Sequence, residues 1–322
     1  MDKVKPHTQQ KHKFLEHYLN IWSDHVGKEG KVNVPTLDIF DLFSSYGMCH
    51  CKENDEEWEG SAVLSARCLS KYPKGRILWL NSYNPDPDVM LKQREGLEGW
   101  LSNLDIPSRV KIEIVGLPVD QAVESALNVL KPNFPSLWIL DPHQGDHLPW
   151  GVVEKIASSE GQFTNRYGKV IKRKPELFIT LMTGRLQAWS GHSDGQEDRV
   201  SIALGMAKEE WKQLIDKLKS EGLNTGEAIV EIYRKKIENV YGVNPICYTV
   251  PGVHGNLVYT IFLVTDKDAG RFMMLVKKYP EYSDWLEEEY KPKEKKLKKR
   301  RKAVGKKEKT GHASLDDYVR KK

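Results

Sequence analysis

Short apolar runs rich in β-branched residues alternate with amphipathic segments along most of this chain, and that alternation restricts the fold more than any other feature. The runs fall at 36–43 (TLDIFDLF), 77–80, 110–115, 137–140, 177–182 and 257–264. Each is short enough for a strand and apolar enough to be covered on both faces. Helical patterns occupy 60–69, 89–101, 119–130 and 150–157, between most of the runs. Consecutive strands separated by helices need crossover connections, and crossovers impose a mostly parallel sheet with helices on both faces. The expected fold is therefore a doubly wound α/β fold. Ahead of it, 11–26 (KHKFLEHYLNIWSDHV) places Phe14, Leu15, Tyr18, Leu19, Trp22 and Val26 at three- and four-residue steps, the stripe of a helix laid on a larger body and ended by Gly27 and Gly30. Between 186 and 243 the pattern changes to two helices, one burying Trp211, Leu214, Ile215 and Leu218, the other Ile229, Ile232, Tyr233, Ile237 and Val240. This reads as a helical insertion in one α/β domain spanning 31–290. A hairpin of 246–250 and 257–264, bent at Gly252 and Gly255, closes it.

Charge divides the chain differently. Of the net charge of +5, residues 291–322 hold fifteen Lys and Arg against four Asp and Glu, so residues 1–290 carry a net −6. The segment 291–311 has almost nothing to bury and repels itself, which predicts a disordered basic linker. Attraction to nucleic acid is expected of this tail and not of the acidic body. No run of about 18 apolar residues exists, and the first 13 residues hold no apolar signal core, so a protein kept in the cytoplasm is expected. The four cysteines, Cys49, Cys51, Cys68 and Cys247, are too few to staple a chain of 322 residues and read as reduced thiols.

Ligands of an open parallel sheet bind where loops diverge at the carboxyl ends of its central strands. Two segments have that placement. One is Asp38-Ile39-Phe40-Asp41-Leu42-Phe43-Ser44-Ser45-Tyr46-Gly47; the other is Asp141-Pro142-His143-Gln144-Gly145, running to Pro149-Trp150, where a helix begins. Together they predict the two walls of a nucleotide-sized crevice. His143, Asp146 and His147 offer imidazole and carboxylate groups that suit either an acid–base pair or a metal, the bland alternative being chance proximity among ten histidines. Cys49-His50-Cys51 with Cys68 lacks the two-residue gap of a zinc-binding pair, so ordinary loop and helix cysteines are favoured and no metal site is assigned. Gly184-Arg185 and 194–199 (DGQEDR) lie on the crevice side, as solvated loop or as substrate contacts.

Several of these segments, in this order and spacing, resemble the three-Cys-motif partner proteins (TcmP). KHKFLEHYLNIW is similar to that family's lysine-led first helix. DIFDLFSSYG with Glu59-Gly60-Ser61 stands where the family has a strand, an Asp-Leu-Phe-Ala-Gly-Pro-Gly loop and a Gly-Ser helix start. WILDPHQGDHLPW resembles its Asp-Pro-Phe-Gly loop ahead of a Pro-Trp helix, ELFITLM its next strand, and 205–211, 259–265 and 270–273 its later landmarks. The resemblance runs from the first helix to about residue 276. It implies a Rossmann-like fold related to S-adenosylmethionine-dependent methyltransferases and a partner protein whose three cysteines resemble a radical-SAM iron–sulfur site. On that reading Asp41, Gly47 and Asn81 surround S-adenosylmethionine, with Ser44-Ser45-Tyr46 in place of the small Ala-Gly-Pro portion and an amide where the second strand commonly ends in an acid. Asp141 and His143 are then the catalytic candidates, since amino-group methyltransferases carry an Asp-Pro-Pro-Tyr-like tetrad there. Asp41 and Gly47 also suit a capped turn in the relic of such a site.

At the carboxyl end, His312-Ala313-Ser314-Leu315-Asp316-Asp317-Tyr318-Val319 resembles the peptide by which DNA-repair and replication proteins bind a sliding clamp. Leu315, Tyr318 and Val319 fit its apolar plug positions, and His312 replaces its usual Gln. One tight helical turn brings residues three and four apart to one side, so the trio can enter a single pocket. A linker of about twenty residues spans roughly 25 Å on average, enough to tether the body to a ring on DNA. Two functions are expected to compete: a methyltransferase-like enzyme acting with its partner in DNA repair or modification, and a non-catalytic adaptor that docks the partner and tethers it to DNA or a clamp.

Overall fold

The computed structural model describes residues 1–28, 36–51, 53–131, 133–164, 170–192, 195–251 and 257–265. The expected basic linker, the clamp-like motif with His312, Leu315, Tyr318 and Val319, the bend glycines Gly252 and Gly255, Gly30, Asp194 and the landmark at 270–273 lie outside the described residues. The chain opens with β1 (Asp2–Val4) and the long α1 (Pro6–Lys28), followed by β2 (Leu37–Asp41), β3 (Met48–Cys51) and β4 (Glu57–Glu59). Next come α2 (Ser61–Lys71), β5 (Gly75–Asn81), α3 (Pro87–Ser102), β6 (Lys111–Val115), α4 (Val119–Val129), β7 (Ser136–Leu140) and α5 (Trp150–Ser158). A short hairpin, β8 (Gly161–Thr164) and β9 (Val170–Arg173), precedes β10 (Glu176–Leu181). Four helices follow, α6 (Thr183–Trp189), α7 (Gln196–Leu204), α8 (Lys208–Ser220) and α9 (Thr225–Tyr241), and then β11 (Ile246–Pro251) and β12 (Leu257–Val264).

All six apolar runs enter one seven-stranded sheet, with β11, in the order β11-β12-β10-β7-β2-β5-β6. The five strands from β10 to β6 are parallel, while β12 runs antiparallel to both β10 and β11. Apart from the half-exposed edge strand β6, the sheet is buried on both faces, so successive residues of its strands serve different cores. In β2 and β7, Ile39, Leu137 and Ile139 face the layer of α1, α2 and α3, and Phe40, Trp138 and Leu140 face the layer of α4 to α9. Phe40 and Trp138 stack with ring centroids 4.5 Å apart. On the first layer the stripe of α1 buries Phe14, Leu15, Tyr18, Leu19 and Trp22.

Local signals account for several boundaries. Asp86 caps α3 by accepting from the Asp88 and Val89 amides, and Pro87 stands at the first turn, where its missing N–H is no loss. Asn224 and Glu227 form a reciprocal capping box at the start of α9. The region read as two helices holds four. The difference lies in α6 and in α7, which buries only Val200, Ala203 and Leu204 as apolar side chains and hides its period behind charge. Its buried Glu197 pairs with Lys208 and, at 2.5 Å, with Lys212. These helices share one core with α4 and α5. A small second sheet, β1-β3-β4, was not visible in the periodicity, because its strands are three or four residues long. Among the described residues no helix is long and apolar enough to cross a membrane.

Candidate functional site

The winding of the sheet reverses between β2 and β7: β5 and β6 lie outward of β2 on one side, β10 outward of β7 on the other. A crevice must open at the carboxyl ends of these two strands, because their following loops diverge to opposite faces. Asp41 is the last residue of β2, in register with Ile139 of β7, and Asp141 follows β7 directly. The two carboxyl groups expected to flank the crevice therefore share one edge of the sheet, close enough for the charge of Asp141 to act on Asp41. A cavity of about 480 Å³ lies there, within the range of small-molecule sites. Phe43, Ser44, Ser45, Gly47, Gly60 and Ser61 form one wall, Asp141, Pro142, His143, Met182, Gly184 and Arg185 another, and the first helix and β1 a third.

The loop after β2 is held by hydrogen bonds around Asp41. Its fully buried carboxylate accepts from the Phe43 amide at 3.0 Å and the Ser61 hydroxyl at 2.6 Å, joining the loop to the start of α2. Burial pushes this carboxyl up to about 6, against those two hydrogen bonds. Asp41 thus lies beneath the cavity wall and shapes it. Gly47 has φ +78°, a backbone conformation that favours glycine, and a Cβ there would stand 2.8 Å from Leu97 Cδ1 and make that side chain shift. Ser45 adopts φ +45°, an uncommon conformation for a residue with a Cβ, and is fixed through its hydroxyl to Asp2 at 2.7 Å and Gln93 at 3.2 Å. Asn81 is spent differently. Its Nδ2 donates to the Leu42 and Leu117 carbonyls and its Oδ1 accepts from the Leu117 amide, so it ties three strand ends together and does not line the cavity.

Asp141 is not an open carboxylate. Lys11 Nζ from α1 lies 2.8 Å from Oδ1 and 2.6 Å from Oδ2. Burial alone would raise the Asp141 carboxyl, but the Lys11 ammonium and then His12 hold it well below the usual carboxylate range. The same pairing keeps Lys11 above its ordinary value in spite of burial. Lys11 also sits over the Tyr259 ring, 5.3 Å from its centroid. His12 Nδ1 accepts from Trp58 Nε1 at 2.9 Å, and an indole can only donate, so the imidazole is neutral with its proton on Nε2, 3.8 Å from Asp141 Oδ2. Burial lowers His12 accordingly.

His143 stands exposed on the rim of the cavity, and Arg185 and Gly184 line it. A Cβ at Gly184 would meet the Leu257 carbonyl at 2.4 Å, so glycine lets the start of α6 approach β12 and brings Arg185 to the opening. The polar stretch at 195–199 is otherwise engaged: Arg199 pairs with Asp146 at 3.7 Å and covers the Trp189 ring. Among the described residues no group of three or more His, Cys, Asp or Glu side chains is placed to hold a metal ion. All four cysteines are buried and free, and burial pushes the Cys49 thiol up to about 12. Lys5, His7, Lys11, His12 and Tyr259 were missed as site residues. One signal existed: Lys11 precedes Phe14 and Leu15 by three and four positions and so continues the buried stripe of α1.

S-adenosylmethionine can be tested against this wall. The Gly47 cradle and the cavity volume suit it. The charges do not: its ammonium and sulfonium groups need acceptors, whereas both oxygens of Asp141 are held by Lys11, the amide of Asn81 is held by backbone, and Asp2 keeps only Oδ2 beside the bond from Ser45. The residues present do not fit that cofactor. No protein-family model matches this chain, and no curated protein matches it.

The raised carboxyl of Asp41 makes folding bind a proton between about pH 4 and pH 6. Its contribution to stability is therefore largest below about pH 4 and falls as pH rises to about 6, with little change beyond. The Asp41→Asn variant keeps an acceptor for Phe43 and lacks this titration. Denaturant unfolding at a series of pH values should show wild-type stability, relative to Asp41→Asn, falling by roughly 2–3 kcal/mol from pH 4 to pH 7. A constant difference would show an ordinary carboxylate at this position.

Proposed function

We propose that this chain is a TcmP-like protein in which a methyltransferase-like fold serves as a non-catalytic adaptor. It docks a partner with three cysteines of the radical-SAM kind and brings it, through the basic tail, to DNA undergoing repair or modification. The fold supports the first part of this reading. A parallel sheet that winds both ways from β2 and β7, with a reversed strand set beside the edge, departs from the six-stranded dinucleotide-binding order and agrees with the methyltransferase-like fold that the sequence resemblance implies.

The observation that favours an adaptor over a methyltransferase is the Lys11–Asp141 pair. An acid that receives a target amine must offer a free oxygen, and both oxygens of Asp141 face the Lys11 ammonium. Asp41, the other acid at this edge, is consumed by Phe43 and Ser61. The competing enzyme reading keeps Asp141 and His143 as catalytic groups beside S-adenosylmethionine and requires Lys11 to withdraw.

Calorimetric titration of the full chain with S-adenosylmethionine separates the two. The adaptor reading expects no heat and no thermal shift at millimolar ligand; saturable binding would restore the enzyme reading. The tail is tested separately. Removing residues 312–322 should abolish co-elution with a sliding clamp while salt-sensitive attraction to DNA through 291–311 persists. Co-elution of the shortened chain would refute the plug assigned to Leu315, Tyr318 and Val319.

A further inference from the structure

The hydrogen-bonding capacity of the switch-point cavity is lopsided. Most of its acceptors are engaged: both Asp141 oxygens by Lys11, Asp2 Oδ1 by the Ser45 hydroxyl, which leaves Asp2 Oδ2, and, just behind the wall, both Asp41 oxygens by Phe43 and Ser61. Its hydroxyls are engaged as well, Ser44 on the Asp41 carbonyl, Ser61 on the Asp41 carboxylate and Thr8 against the Tyr259 hydroxyl at 3.4 Å. The donors left over are nitrogens. Lys5 and Arg185 line the cavity, both are exposed, and neither has a carboxylate partner among the described residues. His7 and His143 line it too; His7 packs edge-on against Tyr259, centroids 5.1 Å apart. A cavity whose spare nitrogen donors outnumber its one spare carboxylate oxygen recognises an anion rich in oxygen.

Size and lining narrow the choice. A bare oxyanion would leave most of about 480 Å³ empty, and Phe43, Met182, Leu257 and Tyr259 add apolar and aromatic surface that an inorganic ion does not use. An aromatic base with a phosphate uses both parts. The location agrees, because the switch point of a doubly wound sheet is where nucleotides bind. We propose that this cavity binds a nucleoside phosphate monoester, with the phosphate between Lys5 and Arg185 at the opening and the base against Phe43 and Tyr259. Lys11 lies behind and stays on Asp141, so the site is preformed. The inference rests on the adaptor reading in one respect, that the cavity is not a site for S-adenosylmethionine. The shared chemistry has two sources, a free mononucleotide and the phosphorylated end of a nucleic acid strand.

The test is calorimetry on the full chain with adenosine 5′-monophosphate, inorganic phosphate, a 5′-phosphorylated oligonucleotide, its unphosphorylated counterpart and S-adenosylmethionine. Binding of adenosine 5′-monophosphate is expected, tighter than that of inorganic phosphate. Lys5→Ala and Arg185→Ala should each weaken it about tenfold, the order for one lost charge-assisted hydrogen bond. Both residues are exposed, so the variants should fold, and Lys155→Ala, at an ion pair with Glu124 away from the cavity, should bind as the wild type does. If the phosphorylated oligonucleotide binds more tightly than its unphosphorylated counterpart, and Arg185→Ala removes that preference, the strand end is the source. If the mononucleotide alone depends on Arg185, the free nucleotide is. Absence of binding by every phosphate ligand overturns the inference and leaves the adaptor reading standing. Binding of S-adenosylmethionine without adenosine 5′-monophosphate overturns both.

Discussion

A single buried ion pair joins the two ends of the described chain's logic. Lys11 comes from the first helix and Asp141 from the end of the fourth parallel-sheet strand in sequence, 130 residues later, yet they meet at 2.6 Å over the point where the sheet reverses its winding. Taking two charges out of water costs several kcal/mol per ion, so such a pair is weak evidence of net stability. What it fixes is geometry. Breaking it by removing one partner leaves a buried charge uncompensated, which makes any docking of α1 that separates Lys11 from Asp141 expensive. His12 follows on the same helix and carries the constraint to Trp58 in the small sheet, and β1 completes that sheet against β3. The amino-terminal segment is thereby part of the site and not an appendage.

This arrangement changes what the fold offers. The loop after β2 has a tight glycine at Gly47 and is linked to α2 through Asp41 and Ser61. The polar groups around the turn are directed inward: Asp41 holds its own loop, Asn81 holds strand ends, and Asp141 holds a lysine. The shape of a site alone does not name an activity. The anion binding proposed for the cavity would suit a protein whose basic tail is proposed to seek DNA.

The sheet was legible because each buried strand is apolar through its centre and most crossovers have a helical period, so β2, β5, β7 and β10 and the edge between Asp41 and Asp141 follow from the sequence alone. Short elements were not legible. Strands of three residues such as β1 and β4 show no alternation, and α7 hides Val200, Ala203 and Leu204 among charges whose partners lie on α8. The role of Asn81 was also out of reach, since its three backbone partners belong to loops brought together only by the sheet. Lys11 sat at the head of a recognised stripe, but a lysine on an apolar face is usually taken to reach for solvent. Only the position of a carboxylate 130 residues away turns it inward.

A double-mutant cycle on Lys11 and Asp141 addresses the central claim most directly. Denaturant unfolding of wild type, Lys11→Met, Asp141→Asn and the double variant should give a coupling of roughly 1–3 kcal/mol, with the double variant more stable than the summed single losses imply. Strictly additive losses would mean that the first helix does not close this edge of the sheet through Lys11, and that Asp141 stands open to a ligand.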